Sequence, residues 1–159
     1  MADPRIVFTC FASSDLAILD PWREHRGRVV GSAGEPGRSV GAAEAPAVVW
    51  QLVSANNREL ARSADIFDDY EDAVISANEA VQFAGSDGVV PTSDPLTGGY
   101  GWYIRVLGHP AVVCGRWYLA ERERRHALRL TLESMPLARL TPGARQYIGR
   151  NTLPSRALA

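Results

Sequence analysis

The sequence predicts an α+β fold: two tandem strand-strand(-strand)-helix repeats that form one antiparallel sheet, with both helices on one face. Three observations carry that prediction. Ten of the 14 glycines fall in two stretches, residues 27 to 46 and 85 to 101, and residues 47 to 83 contain neither Gly nor Pro. Residues 47–83 and 102–135 follow the same order of strand, turn, strand, aromatic anchor and helix. Trp50 and Trp102 open that order at an offset of 52 residues.

Taken in chain order, residues 1–46 form an N-terminal extension. Within it Ile6-Val7-Phe8-Thr9-Cys10-Phe11 predicts a strand over 5–11, and residues 27–46 read as a glycine-rich linker. Val48-Val49-Trp50-Gln51-Leu52-Val53 is β-branched and aromatic, hence a strand. Ser54-Ala55-Asn56-Asn57 supplies a turn, because Asn tolerates positive φ. Glu59-Leu60-Ala61-Arg62-Ser63 returns as the second strand, and Ile66 and Phe67 anchor the end of the hairpin. Asp68 is placed to cap the next helix, with Glu71 completing a capping box. Tyr70, Ala73, Val74, Ala77 and Val81 then share one helical face.

Residues 84–101 read as a Gly/Pro linker. In the second unit Trp102-Tyr103-Ile104-Arg105-Val106 is the first strand, Gly108 the turn and Ala111-Val112-Val113-Cys114 the return. Trp117 and Tyr118 stand where Ile66 and Phe67 stood. Glu121 and Glu123 favour a helix start, since the N-terminal end of a helix attracts negative charge. Leu128, Thr131, Leu132 and Met135 make its apolar stripe, with Ala127 and Leu130 beside it, and Pro136 stops it. Residues 136–159 are a basic tail with Arg139, Arg145, Arg150 and Arg156 and no acid.

These residues carry a resemblance. Trp50-x-Leu52, Asn56-Asn57-Arg58-Glu59-Leu60-Ala61-Arg62-Ser63 and Phe67, followed by a helix, resemble the YegP-like family of uncharacterised bacterial proteins. Trp102-Tyr103-Ile104-Arg105-Val106 and Val113-Cys114-Gly115-Arg116-Trp117-Tyr118 are similar to the second repeat of its actinobacterial members. Gly108-His109-Pro110 departs from the Asn-rich turn. The resemblance spans residues 47–135 and implies tandem β-β-β-α-β units that build one sheet with exchanged terminal strands. It implies no activity, cofactor or catalytic residue.

Composition removes several chemistries. The chain has 159 residues, 17 arginines and no lysine, so a P-loop lysine and a Schiff-base lysine are both absent. Cys10, Cys114, His25, His109 and His126 show no zinc-ligand spacing, and reduced thiols are expected. His109 and Cys114 flank one strand at about 16 Å, from ~3.3 Å per residue, too far for a Cys–His pair. Ser13-Ser14-Asp15 with His25 lacks a nucleophile elbow. Asp68, Asp69, Glu71 and Asp72 read as helix capping rather than a cation site. No catalytic set, metal site or cofactor is expected. A basic leader with a long apolar run is missing, and no apolar stretch approaches about 18 residues, so a cytoplasmic protein without a membrane span is expected.

Two surfaces remain as candidates. Arg122, Arg124, Arg125 and Arg129 form a cluster in a basic second half, with Arg122, Arg125 and Arg129 near one helical face. Residues 1–101 hold 7 arginines and 15 acids, a net −8, and residues 102–159 hold 10 and 3, a net +7. Such a face could meet phosphates, and the competing expectation is that its arginines pair with Glu121, Glu123 and the acidic first unit. Tyr103 and Arg105 alternate with Trp102, so they point to the other side of the sheet, where they are either open to a partner or covered by the N-terminal segment or a second subunit. The expected function is a small non-catalytic interaction module with a protein partner or self-association, through Tyr103, Arg105, Arg122, Arg125 and Arg129. Nucleic-acid association through the second helix and basic tail is the alternative.

Overall fold

A computed structural model describes residues 3–12, 17–31, 46–148 and 151–152. Among them nine strands form one sheet, with three helices. The strands are β1 Arg5–Phe11, β2 Ala47–Val53, β3 Glu59–Ser63, β4 Val89–Ser93, β5 Tyr100–Val106, β6 His109–Cys114, β7 Arg139–Leu140, β8 Arg145–Ile148 and β9 Asn151–Thr152. The helices are α1 Asp20–Val30, α2 Tyr70–Phe83 and α3 Glu121–Ser134. The sheet runs β4-β5-β6-β3-β2-β1-β8-β9, with β7 also on β1. All pairings are antiparallel except β7 and β8 on β1.

The two hairpins β2–β3 and β5–β6 join through β3 and β6, where Ala61 faces Cys114, Arg62 faces Val113 and Ser63 faces Val112. Exchanging residues 51 positions apart maps this register onto itself, with Arg62 and Val113 at its centre. Each hairpin has one register shift, between Leu52 and Val53 and between Ile104 and Arg105. Each is closed by one bridge, Val48 to Phe67 and Tyr100 to Tyr118. Both turns reach positive φ: Asn57 at 67°, which Asn tolerates, and in the tighter second turn Gly108 at 90° beside Leu107 at 52°, where Leu is the disfavoured residue.

Alternation then sorts the side chains. Phe8 faces Trp50 and Ile6 faces Leu52 across β1 and β2, all on one face. Trp50 and Trp102 are fully buried there. α2 covers Trp50, whose indole donates to Ser76 Oγ at 3.1 Å, and Tyr70 meets Phe8 edge-on at 5.2 Å. α3 lies against β5 and β3, with Ala127, Thr131 and Met135 buried. Leu128, Leu130 and Leu132 are only half-buried. The cap of α2 is Asp69, one residue later than expected, and its Oδ1 accepts from Asp72 N at 2.8 Å.

The opposite face is covered by α1, a helix that falls in the expected extension and runs into the expected linker. Its Trp22 and the preceding Leu19 join Phe11, Ala47, Val49 and Ile66 in a second apolar cluster. Other parts of the expected linker and tail are also ordered elements. β4 lies inside residues 84–101, and its Pro91 is tolerated because β4 is a sheet edge and needs no donor on its open side. β7 and β8 belong to the expected tail, while Arg150 and Arg156 lie outside the described residues. Cys10 and Cys114 are free thiols. Among the described residues no helix is long and apolar enough to cross a membrane.

Candidate ligand groove

A groove of about 1070 Å³ lies between the Ser54–Arg58 turn and α3. Leu60, Tyr118, Ala127 and Leu130 make its apolar lining. Arg58, Arg116, Glu123 and His126 bring polar groups to it. The Tyr118 backbone bridges to Tyr100, and the Arg116 guanidinium lies over the Tyr118 ring at 5.2 Å. Burial pushes the Tyr118 phenol above its ordinary value. Glu59 is engaged by Arg62 Nη2 at 2.7 Å and by the Gln51 amide. Gly115 keeps the chain close to it: a Cβ there would meet Glu59 Oε1 at 2.7 Å. His126 Nδ1 lies 3.1 Å from Arg129 Nη2. Guanidinium only donates, so Nδ1 accepts and the ring proton sits on Nε2.

A second groove, of about 360 Å³, lies between α2 and the start of β6. Asp65, Phe67, Asp72, Ile75, Ser76 and Glu79 line it. The residues 51 positions further on are Arg116, Tyr118, Glu123, His126, Ala127 and Leu130, and all six line the larger groove. The two sites therefore occupy equivalent places with different chemistry. The smaller holds three carboxylates, with Asp65 facing Arg26 at 3.8 Å. The larger has an arginine in place of Asp65 and a leucine in place of Glu79.

The residues singled out from sequence separate. Tyr103 shares the face of Val113 and Arg62, which α1 covers, and it is buried. Of the two readings for the Tyr103 face, open to a partner or covered, the structure shows it covered by the N-terminal segment through α1. Arg105 is half-buried and donates to the Gly108 carbonyl inside its own hairpin. Arg122, Arg125 and Arg129 are exposed on α3. Within the expected cluster the pairing is made by Arg124, which meets Glu121 at 3.2 Å and stacks on Tyr100 at 5.4 Å. Among the described residues Arg122, Arg125 and Arg129 have no carboxylate partner. The His126–Arg129 contact joins this arginine face to the groove.

Sequence reasoning missed the polar contacts of α1. His25 Nε2 lies 2.7 Å from the Cys114 carbonyl, and its ring meets Trp117 edge-on at 5.9 Å. Burial lowers the His25 pKa below the ordinary 6.5, more than the Cys114 carbonyl raises it. Arg62 stacks over Trp22 at 4.4 Å. Arg28 forks onto buried Asp94, with Nε to Oδ1 at 3.2 Å. Burial pulls the Asp94 carboxyl up, but donors from Thr97, Leu96 and Arg28 outweigh it and hold the group below the usual range. The usable signal for α1 was Asp20-Pro21, since Pro at the first turn and an acid beside it mark helix starts. Burial pushes the Cys114 thiol up to about 11, which leaves little of the thiolate near neutral pH.

No family model matches the chain, and no curated protein matches it. Among solved structures, the solution NMR structure of YegP from E. coli, a protein of unknown function, is similar at a TM-score of 0.57 and 10% identity. The match covers 95% of this chain and 98% of that one, so the chain has a YegP-like fold.

Proposed function

We propose that this chain is a small non-catalytic interaction module of the cytoplasm, and that the groove between the Ser54–Arg58 turn and α3 is its working surface. The observation that carries this reading is the groove itself, an apolar lining with arginine and histidine beside it. Deeply buried polar contacts elsewhere, such as Arg28 with Asp94, have their partners within the chain and read as structural. We also infer that the two units are tandem copies, which the equivalent grooves and the symmetric register support. Exposed Arg122, Arg125 and Arg129 favour nucleic acid as the second reading.

The test places a photoreactive p-benzoylphenylalanine at position 126 and irradiates the full chain in lysate of the source cells. A discrete adduct, identified by mass spectrometry and lost when Ala127→Trp fills the groove, is expected. Position 75 of the smaller groove is the control. No adduct above that control sinks the reading. An adduct with RNA or DNA transfers the function to the alternative.

A further inference from the structure

We propose that the larger groove receives an acidic peptide segment carrying an apolar anchor residue. Its carboxylates meet Arg58 and Arg116, and its anchor lies on Leu60, Tyr118, Ala127 and Leu130. This rests on the binding-module reading and names the partner's chemistry.

Charge complementarity is the first argument. Four charged residues line the groove: Arg58, Glu59, Arg116 and Glu123. Glu59 is already neutralised by Arg62 at 2.7 Å. Among the described residues neither Arg58 nor Arg116 has a carboxylate partner. The charge left for a ligand is two guanidinium groups against the single carboxylate of Glu123. Exposed Arg122 and Arg129 extend the positive field along the outer side of α3. Arg116 is exposed beside the Tyr118 ring at 5.2 Å, and a guanidinium can bind two carboxylate oxygens at once.

Shape is the second argument. A volume of about 1070 Å³ exceeds the roughly 300–1,000 Å³ of small-molecule pockets and fits several peptide residues. The Tyr118 ring and three aliphatic side chains offer one apolar seat among polar groups, the pattern of an anchor residue within a charged segment. The equivalent smaller groove has Asp65 where this one has Arg116, so the fold does not itself require an arginine there.

The test is fluorescence anisotropy on the full chain with three fluorescein-labelled 12-residue peptides. The first combines Glu and Ser with one Phe and one Leu. The second has Lys for every Glu, and the third has Ser for Phe and Leu. The first peptide should bind, and the other two should bind at least about tenfold more weakly, the factor expected from ~1.4 kcal/mol of lost contact. The double variant Arg58→Gln, Arg116→Gln should lose about tenfold or more for the first peptide. Its circular dichroism should match wild type, and Glu79→Gln in the smaller groove should bind as wild type. Equal binding of the three peptides, no binding of the first, or an unaffected double variant would overturn the proposal. A basic partner segment cross-linked at position 126 would overturn it too, while leaving the module reading intact.

Discussion

Trp50 and Trp102 occupy equivalent places, yet only one indole has a partner. Trp50 Nε1 donates to Ser76 Oγ, whereas Trp102 Nε1 is buried without an acceptor. The residue equivalent to Ser76 is Ala127, which has nothing to accept with. Ala127→Ser should therefore stabilise the protein by about 0.5–1.5 kcal/mol, the net worth of one hydrogen bond. Ser76→Ala should cost about 1–3 kcal/mol, because it strands a buried donor. Urea denaturation checks both, and an unchanged midpoint in Ala127→Ser would show that position 127 does not reach the indole. His25 sets a pH dependence at the same scale. Its folded pKa lies below the ordinary 6.5. Its neutral form fits the fold, so stability is complete above that value and falls as pH drops through it, since the unfolded chain binds the proton first. His25→Gln should flatten the decline in urea midpoint between pH 7.5 and 5.5, and an equal decline in wild type and variant would assign it to other groups.

At the scale of elements, α1 docks through Val29, Val30 and Trp22 and through the polar contacts of His25, Arg26 and Arg28. Of its 11 residues only Val29 and Val30 are buried, which explains why apolar periodicity did not reveal it. A helix held by polar contacts is a candidate for local opening. Arg28→Met removes the fork onto Asp94 and leaves that buried carboxylate without its cation. Amide exchange should then accelerate in α1 and in the loop at Asp94–Gly99, while α2 and its strands stay protected. Uniform acceleration across the sheet would mean that α1 is part of the global folding unit. Alternation along β5 told correctly that Tyr103 and Trp102 point to opposite faces. Only the packing of α1 decided that the Tyr103 face is closed.

For the whole molecule, one apolar core runs from Ile6 through Trp50 to Trp102 and Met135, across both units. Trp50→Ala or Trp102→Ala should each cost about 3–5 kcal/mol, as for other buried aromatics, and unfolding should remain one transition. Two separated transitions would mean that the units fold independently. The sequence alone determined the two hairpins, the two flanking helices and the matched tryptophans, because alternation, turn chemistry and helical spacing are local properties of the chain. Arg122, Arg125 and Arg129 were legible for the same reason, as a surface helix shows its charges in its spacing. The groove was not, because Arg58 and Leu60 lie in the first unit while Arg116, Tyr118 and His126 lie in the second. Their meeting depends on the β3–β6 pairing, which no local pattern encodes. The helix over the second face, the strand at Pro91 and the parallel strands on β1 were likewise decided by tertiary structure. Each has little apolar pattern of its own and takes its form from the sheet it covers or extends.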